Sequence, residues 1–270
     1  MKGFLKKAYE EKLEEIKNLR SKRFPPRKRP FVSFSQALQR GRAPRIIAEI
    51  KRASPSRGVL REDLDILKQA QLYELGGAIA ISVLTDKNFE GSIEDLKLLS
   101  QKVRLPILRK DFLIDPIQLE EAFSYGADAV LLIGGLLSKN RLKELLKEAK
   151  SLGLEALVEV HKEEELEMVL ETEAFIIGIN SRDLETLNVN LELIERLFPK
   201  IPKDRLVIAE SGIKGRKDLK RLMDMGIENF LIGEALVLAQ DPLKMLKELK
   251  GHGPDQNMWH NPQGGCPFLR

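Results

Sequence analysis

A chain of 270 residues has room for one large domain or two small ones. Charged residues make up 32% of it, and 45 basic against 41 acidic side chains leave a net charge of only +4, which describes a solvated, ion-paired surface and not a nucleic-acid-binding one. The single cysteine, Cys266, excludes an internal disulfide and makes a reducing, cytoplasmic setting the default, while high charge with little cysteine suits a thermostable protein. Nowhere does a run of about 18 apolar residues occur, so no membrane span is expected, and the basic start Met1-Lys2-Gly3 has no apolar core of a secretory signal behind it.

Across residues 4–19, Leu5, Tyr9, Leu13 and Ile16 recur at spacings of three and four among lysines and glutamates, the pattern of an amphipathic helix. Arg20 to Pro30 then brings six basic residues and three prolines, which stop that helix. This segment reads as a solvated linker, with a basic rim that attracts an anionic substrate as the alternative. Phe34 to Leu38 adds one helical turn.

From Arg45 onward, short apolar runs alternate with longer amphipathic ones. Strands are predicted over 45–50, 78–83, 106–109, 128–132, 155–159, 175–179, 206–209 and 229–232. Helices are predicted over Leu64–Leu75, Ser92–Lys102, Pro116–Tyr125, Lys139–Ser151, Glu163–Glu171, Leu191–Phe198, Gly215–Met225 and Pro242–Lys250. Gly76-Gly77, Gly126, Gly153 and Gly226 stand where helices should end. Eight repeats of strand and helix imply an α/β fold, a closed parallel (β/α)8 TIM barrel over residues 45–250, preceded by an N-terminal helical extension and basic linker over 1–44. A doubly wound open sheet is the alternative, though it more often carries a glycine-rich first turn. Residues 251–270 have no periodicity and are expected to be a flexible tail. His252, His260 and Cys266 within it fit no standard zinc spacing, so no metal is expected.

In such a barrel, ligands bind at the C-terminal ends of the strands, and there the charges collect. The first strand ends in Glu49 and Lys51, two apart and so on one face; the third ends in Lys110 and the fifth in Glu159. The sixth leads into Asn180 and Arg182, the seventh into Glu210, Ser211 and Gly212, and the eighth into Gly233 and Glu234. Buried charge costs several kcal/mol unless matched, so this ring points to a polar ligand. Ser211-Gly212 and Gly233-Glu234 offer backbone donors for a phosphate, to which Arg182, or Lys51 with Ser54, adds charge. Phe89, Phe112, Leu131 and Leu184 suit a flat ring, and lysine with glutamate suits acid-base work between the two ends. His161 is the only histidine outside the tail, so the chemistry leans little on imidazole. A phosphorylated sugar joined to an aromatic group is the ligand this describes. An aldolase using Lys110 or Lys51 as a Schiff-base nucleophile is a second reading, and a phosphate-binding barrel without catalysis is a third.

The segments IIAEIKRASPSRG, ISVLTDKNFEGS, LPILRKDFLIDPIQLEEAFSYGADAVLLI, LVEVH, GINSRDLETL, AESGI and FLIGEAL resemble, in order, motifs of the indole-3-glycerol-phosphate synthase family. The likeness runs from about Phe34 to Lys250. It implies a lyase of tryptophan biosynthesis that closes the ring of 1-(2-carboxyphenylamino)-1-deoxyribulose 5-phosphate with loss of carbon dioxide and water. No metal or organic cofactor is implied, and the expected partner is that small anthranilate-sugar phosphate, not nucleic acid or membrane, for a protein acting as a monomer. On family grounds Lys110 matches the general acid at the ketone oxygen and Glu159 the acid-base residue of the dehydration, with Lys51 and Glu49 as helpers. Glu210 and Asn180 match residues that order this network, and Arg182, Ser211, Gly212 and Gly233 match phosphate and substrate contacts. Glu234 sets an acid beside the expected phosphate, so its side chain is expected to face solvent.

Overall fold

The computed structural model describes residues 3–251; the tail positions 252–270, His252, His260 and Cys266 among them, lie outside the described residues. Eight parallel strands close into a barrel: β1 (Arg45–Ile50), β2 (Ala80–Leu84), β3 (Ile107–Lys110), β4 (Ala129–Ile133), β5 (Glu155–Val160), β6 (Ile176–Asn180), β7 (Leu206–Glu210) and β8 (Asn229–Ile232). Each strand pairs with its neighbour in sequence, and β8 closes on β1 with Ile46 beside Phe230 and Ala48 beside Ile232. Ile46, Ile47 and Ala48 are fully buried, as a strand covered on both faces requires. The observed strands lie within two residues of the predicted ones. Several run one residue further at the C-terminal end, because the ladder takes in polar residues that no apolar run marks: Lys110 pairs with Leu84, and Asn180 with Glu210.

Helices α3 (Ile66–Leu75), α4 (Ile93–Ser100), α5 (Pro116–Ser124), α6 (Lys139–Ser151), α7 (Glu163–Leu170), α8 (Glu192–Leu197) and α9 (Arg216–Met223) cover the barrel. After β8 come the short α10 (Glu234–Val237), which starts at Glu234, and α11 (Pro242–Leu249). Unpredicted is a small hairpin in the loop after β1, where Ala53–Ser54 pairs with Gly58–Val59. No helix among the described residues is long and apolar enough to cross a membrane.

The N-terminal segment departs most from its sequence reading. In α1 (Gly3–Leu19) the buried face is Leu5, Ala8, Lys12, Ile16 and Leu19, whereas Leu13, placed by its spacing in the apolar stripe, is 42% exposed. The stripe turns because Lys12 goes inward, its Nζ 2.8 Å from both Asp86 and Asp111 in the loops after β2 and β3. The basic segment is neither a free linker nor a rim of the ligand site. It runs down the side of the barrel, with Phe24 edge-on to Tyr125 and Arg27 over the ring of Phe123. At the base of the barrel Arg27 and Arg29 both pair with the fully buried Asp128, and Arg29 also donates to the carbonyls of Ser100, Val103 and Leu105. Carbonyls and one buried carboxylate thus take up the charge of Arg27 and Arg29, while Arg20, Lys22, Arg23 and Lys28 stay exposed as a solvated segment requires. Helix α2 (Phe34–Gln39) then closes the base, its first backbone N–H groups set on the Glu155 carboxylate and Phe34 and Leu38 fully buried.

Candidate active site

The C-terminal ends of the strands open into a cavity of about 760 Å³ that takes in every residue singled out above as catalytic or ligand-binding. At its floor Lys110, at the end of β3, reaches across to β5 and β7: Nζ lies 2.7 Å from Glu159 Oε2 and 3.2 Å from Glu210 Oε2. A second pair stands at β1, with Lys51 Nζ 2.7 Å from Glu49 Oε1. Two glycines make room for these carboxylates. A Cβ at Gly178 of β6 would lie 2.1 Å from Glu210 Oε1, and one at Gly233 would lie 2.4 Å from Glu49 Oε1.

Charge states follow from this packing. Burial disfavours the Lys110 ammonium, but Glu159, Glu210 and Glu49 outweigh it and hold the amine protonated well above its ordinary value. A Schiff-base nucleophile needs the neutral amine, so these surroundings suit a proton donor better than an aldolase lysine. Burial likewise opposes ionisation of Glu159, yet Lys110 and His161 keep it well below the usual carboxylate range. Glu210 goes the other way: burial, reinforced by the neighbouring Glu159 charge, pushes it up to about 8. Two carboxylates sharing one lysine therefore divide into one ionised and one protonated group at neutral pH.

On the opposite rim, Ser211 and Gly212 both adopt positive φ, at 64° and 75°, in the turn after β7. A Cβ at Gly212 would lie 2.5 Å from Val189 Cγ1, so glycine alone lets the two loops meet there. Asn180 Oδ1 accepts the backbone N–H of Arg182 at 3.0 Å, which fixes the start of the loop after β6. Arg182 donates to Ser56 Oγ at 3.0 Å and to the Leu187 carbonyl at 3.1 Å; Ser54 is buried beside Ser56. The Glu234 carboxylate does not turn to solvent as expected. It lies 3.0 Å from Arg57 Nε and 3.6 Å from Arg182 Nη2, because two guanidinium groups on neighbouring loops offset the charge that was expected to drive it away. The remaining wall is apolar, with Phe89, Phe112, Leu131 and Leu184.

Three contributors escaped the sequence reading. Phe4 of α1 packs edge-on against Phe112, centroids 5.7 Å apart, and Phe89, 6.4 Å; as a lone aromatic outside the repeats it carried no signal. Arg57 was visible as a basic residue in the loop after β1, yet only the fold brings it to Glu234. His161 follows Glu159 by two residues, hence on the same face, and its Nε2 lies 3.0 Å from Glu159 Oε1.

A parallel (β/α)8 barrel that gathers lysines and carboxylates at the C-terminal ends of its strands has the build of a barrel enzyme. The chain belongs to the indole-3-glycerol phosphate synthase family, whose model, described as "Indole-3-glycerol phosphate synthase", matches residues 5–249. It is 46% identical over 225 residues to the indole-3-glycerol phosphate synthase of Dehalococcoides mccartyi, covering 82% of this chain and 87% of that one. With the protein of the same name from Petrotoga mobilis it shares 44% over 252 residues, 91% of this chain and 96% of the relative. Among solved structures, 3-hexulose-6-phosphate synthase from Salmonella typhimurium is similar at a TM-score of 0.62 and 13% identity, over 77% of this chain and 97% of that one, a likeness of fold alone.

Proposed function

We propose that this chain is a decarboxylating lyase of tryptophan biosynthesis, closing 1-(2-carboxyphenylamino)-1-deoxyribulose 5-phosphate to indole-3-glycerol phosphate. The observation that carries this reading is the position of Lys110, held as an ammonium between Glu159 and Glu210 at the floor of a cavity with an aromatic wall and a rim of backbone donors. The aryl ring lies against Phe89, Phe112, Leu131 and Leu184, and the phosphate is taken by the turns at Ser211-Gly212 and Gly233-Glu234, with Arg182 and Ser54 beside them. Lys110 gives its proton to the ketone oxygen as the aromatic carbon attacks the carbonyl carbon. Loss of carbon dioxide from that ring carbon returns the bonding electrons to the ring. Glu159 then takes a proton from the carbon beside the nitrogen while Lys51, steadied by Glu49, gives one to the hydroxyl, which departs as water as the double bond of the new ring forms. Asn180 and Glu210 order this network. These steps form one carbon-carbon bond, release carbon dioxide and water, and change no overall oxidation level that would need a redox cofactor.

The test is direct: the purified protein is incubated with the anthranilate-sugar phosphate and the rise of indole fluorescence is followed. Losing a positioned general acid typically costs about 10²- to 10⁴-fold, which is the fall in kcat expected for Lys110→Met. If that variant kept more than a tenth of wild-type turnover, Lys110 would not be the acid. Absence of indole formation by the wild-type protein would sink the function itself.

A further inference from the structure

Glu159 has a partner on each oxygen. Oε2 faces Lys110 at 2.7 Å, and Oε1 faces His161 Nε2 at 3.0 Å. The other side of the imidazole meets a second carboxylate: Glu165, in the first turn of α7, lies 3.4 Å from Nδ1 and accepts the backbone N–H of His161 at 2.8 Å. We propose that His161 is a positioning residue for Glu159, an imidazolium clamped between Glu165 and Glu159 that keeps the Glu159 carboxylate turned toward Lys110 and ionised.

The clamp is built into the backbone around it. Glu165 reaches His161 over the Gly134-Gly135 turn after β4, where a Cβ at Gly135 would lie 2.4 Å from Glu165 Oε1. Nε2 lies within ion-pair distance of Glu159 without a well-directed hydrogen bond, so a charged ring is drawn to that carboxylate and a neutral one would be held poorly. The carboxylates in contact with the ring are Glu159 from β5 and Glu165 in the first turn of α7; Lys162, just before α7, lies 4.0 Å from the other oxygen of Glu165, and Asp183 in the loop after β6 is near enough to feel the ring's charge. Through Glu159 the ring also senses Lys110 of β3 and Glu210 of β7. Burial opposes the imidazolium, but the adjacent carboxylates prevail and raise it to about 9.

This rests on the acid-base role proposed for Glu159. When Lys110 gives its proton to the ketone oxygen it becomes neutral, and His161 is then the remaining adjacent cation that keeps Glu159 a carboxylate for the later proton transfer. A side chain that merely filled space would not do so.

Two measurements test it. In the intact protein with ¹⁵N-labelled histidine, the ring signal that disappears in His161→Gln is titrated. A midpoint near 9 is expected, and one at or below the ordinary 6.5 overturns the proposal. That titration needs no substrate, so it decides on the clamp even if the proposed reaction fails. In turnover, His161→Gln should lower kcat about tenfold with KM within about threefold, and the acidic limb of the kcat–pH profile should rise by about one unit, since Glu159 loses a cation. A variant whose limbs coincide with those of the wild type, whatever its kcat, would leave His161 a packing residue.

Discussion

Glu234 shows at the level of one side chain how an acid comes to stand in the proposed anion site. A carboxylate about 4 Å from a phosphate is repelled by about 4 kcal/mol per unit charge at an effective dielectric of 20, which alone would turn it outward. Arg57 and Arg182 change the balance by pairing with it. In the reaction proposed above, a phosphate arriving at Arg182 has to compete with that carboxylate. Glu234→Gln is expected to lower the substrate KM about threefold, and Arg182→Ala to raise it about tenfold, roughly 1.4 kcal/mol. Both are read from steady-state rates at one ionic strength. Equal KM values in Glu234→Gln and wild type would place the phosphate away from that carboxylate. Gly178 and Gly233 act at the same scale, since each has a missing Cβ where Glu210 or Glu49 stands. In the sequence, they are two glycines among 19.

Helix α1 is held to the barrel by Leu5, Ala8, Ile16 and Leu19 and, at its middle, by one buried charge. Lys12 is 2% exposed and faces Asp86, Asp111 and Glu15, while Asp111 also pairs with Arg109, itself 2.9 Å from Glu121. Removing one partner from such a cluster typically costs about 3–5 kcal/mol, because the others stay buried with their charge unmatched. Lys12→Met should therefore lower the urea midpoint, and Tm by about 6 °C or more. It should also raise KM more than it lowers kcat. The helix carries Phe4 onto Phe89 and Phe112, and Asp111 directly follows Lys110 and donates its order to Phe112 by accepting that residue's backbone N–H at 2.7 Å. If urea unfolding of Lys12→Met matched wild type, α1 would be held by its apolar contacts alone.

For the molecule as a whole, buried ionisable groups give stability a pH dependence of predictable sign. His161 is raised in the folded state from 6.5 to about 9, and Glu210 from 4.5 to about 8. A group with a raised folded value binds more protons folded than unfolded, so its contribution is complete below the unfolded value and lost as pH rises through the folded one. Asp111, held below its ordinary range by Lys12 and Arg109 against burial, acts oppositely and is lost only in acid. Unfolding free energy should thus fall between pH 6.5 and 9.5, by on the order of 3 kcal/mol for the histidine. Urea midpoints at the two pH values measure it, and His161→Gln should show a smaller fall. Identical midpoints for wild type at pH 6.5 and 9.5 would mean that these groups titrate as they do in the unfolded chain.

Apolar runs such as Ile46 to Ala48, recurring eight times between amphipathic helices, pointed to a parallel sheet covered on both faces and, by their number, to a barrel; the pairing of β8 with β1 is what excludes the open doubly wound sheet. The same alternation placed Glu49, Lys110, Glu159, Asn180 and Glu210 at one end of it, since residues that close a parallel strand all face the same rim. Pairing was a different matter. That Lys110 joins Glu159 and Glu210, that Glu234 sits with Arg57 and Arg182, and that Lys12 and Arg29 bury their charge depends on contacts between residues distant in the chain. Local periodicity reports which face of an element is apolar. Which charge meets which across the barrel is set by strand register and loop path, and those exist only once the chain has closed on itself.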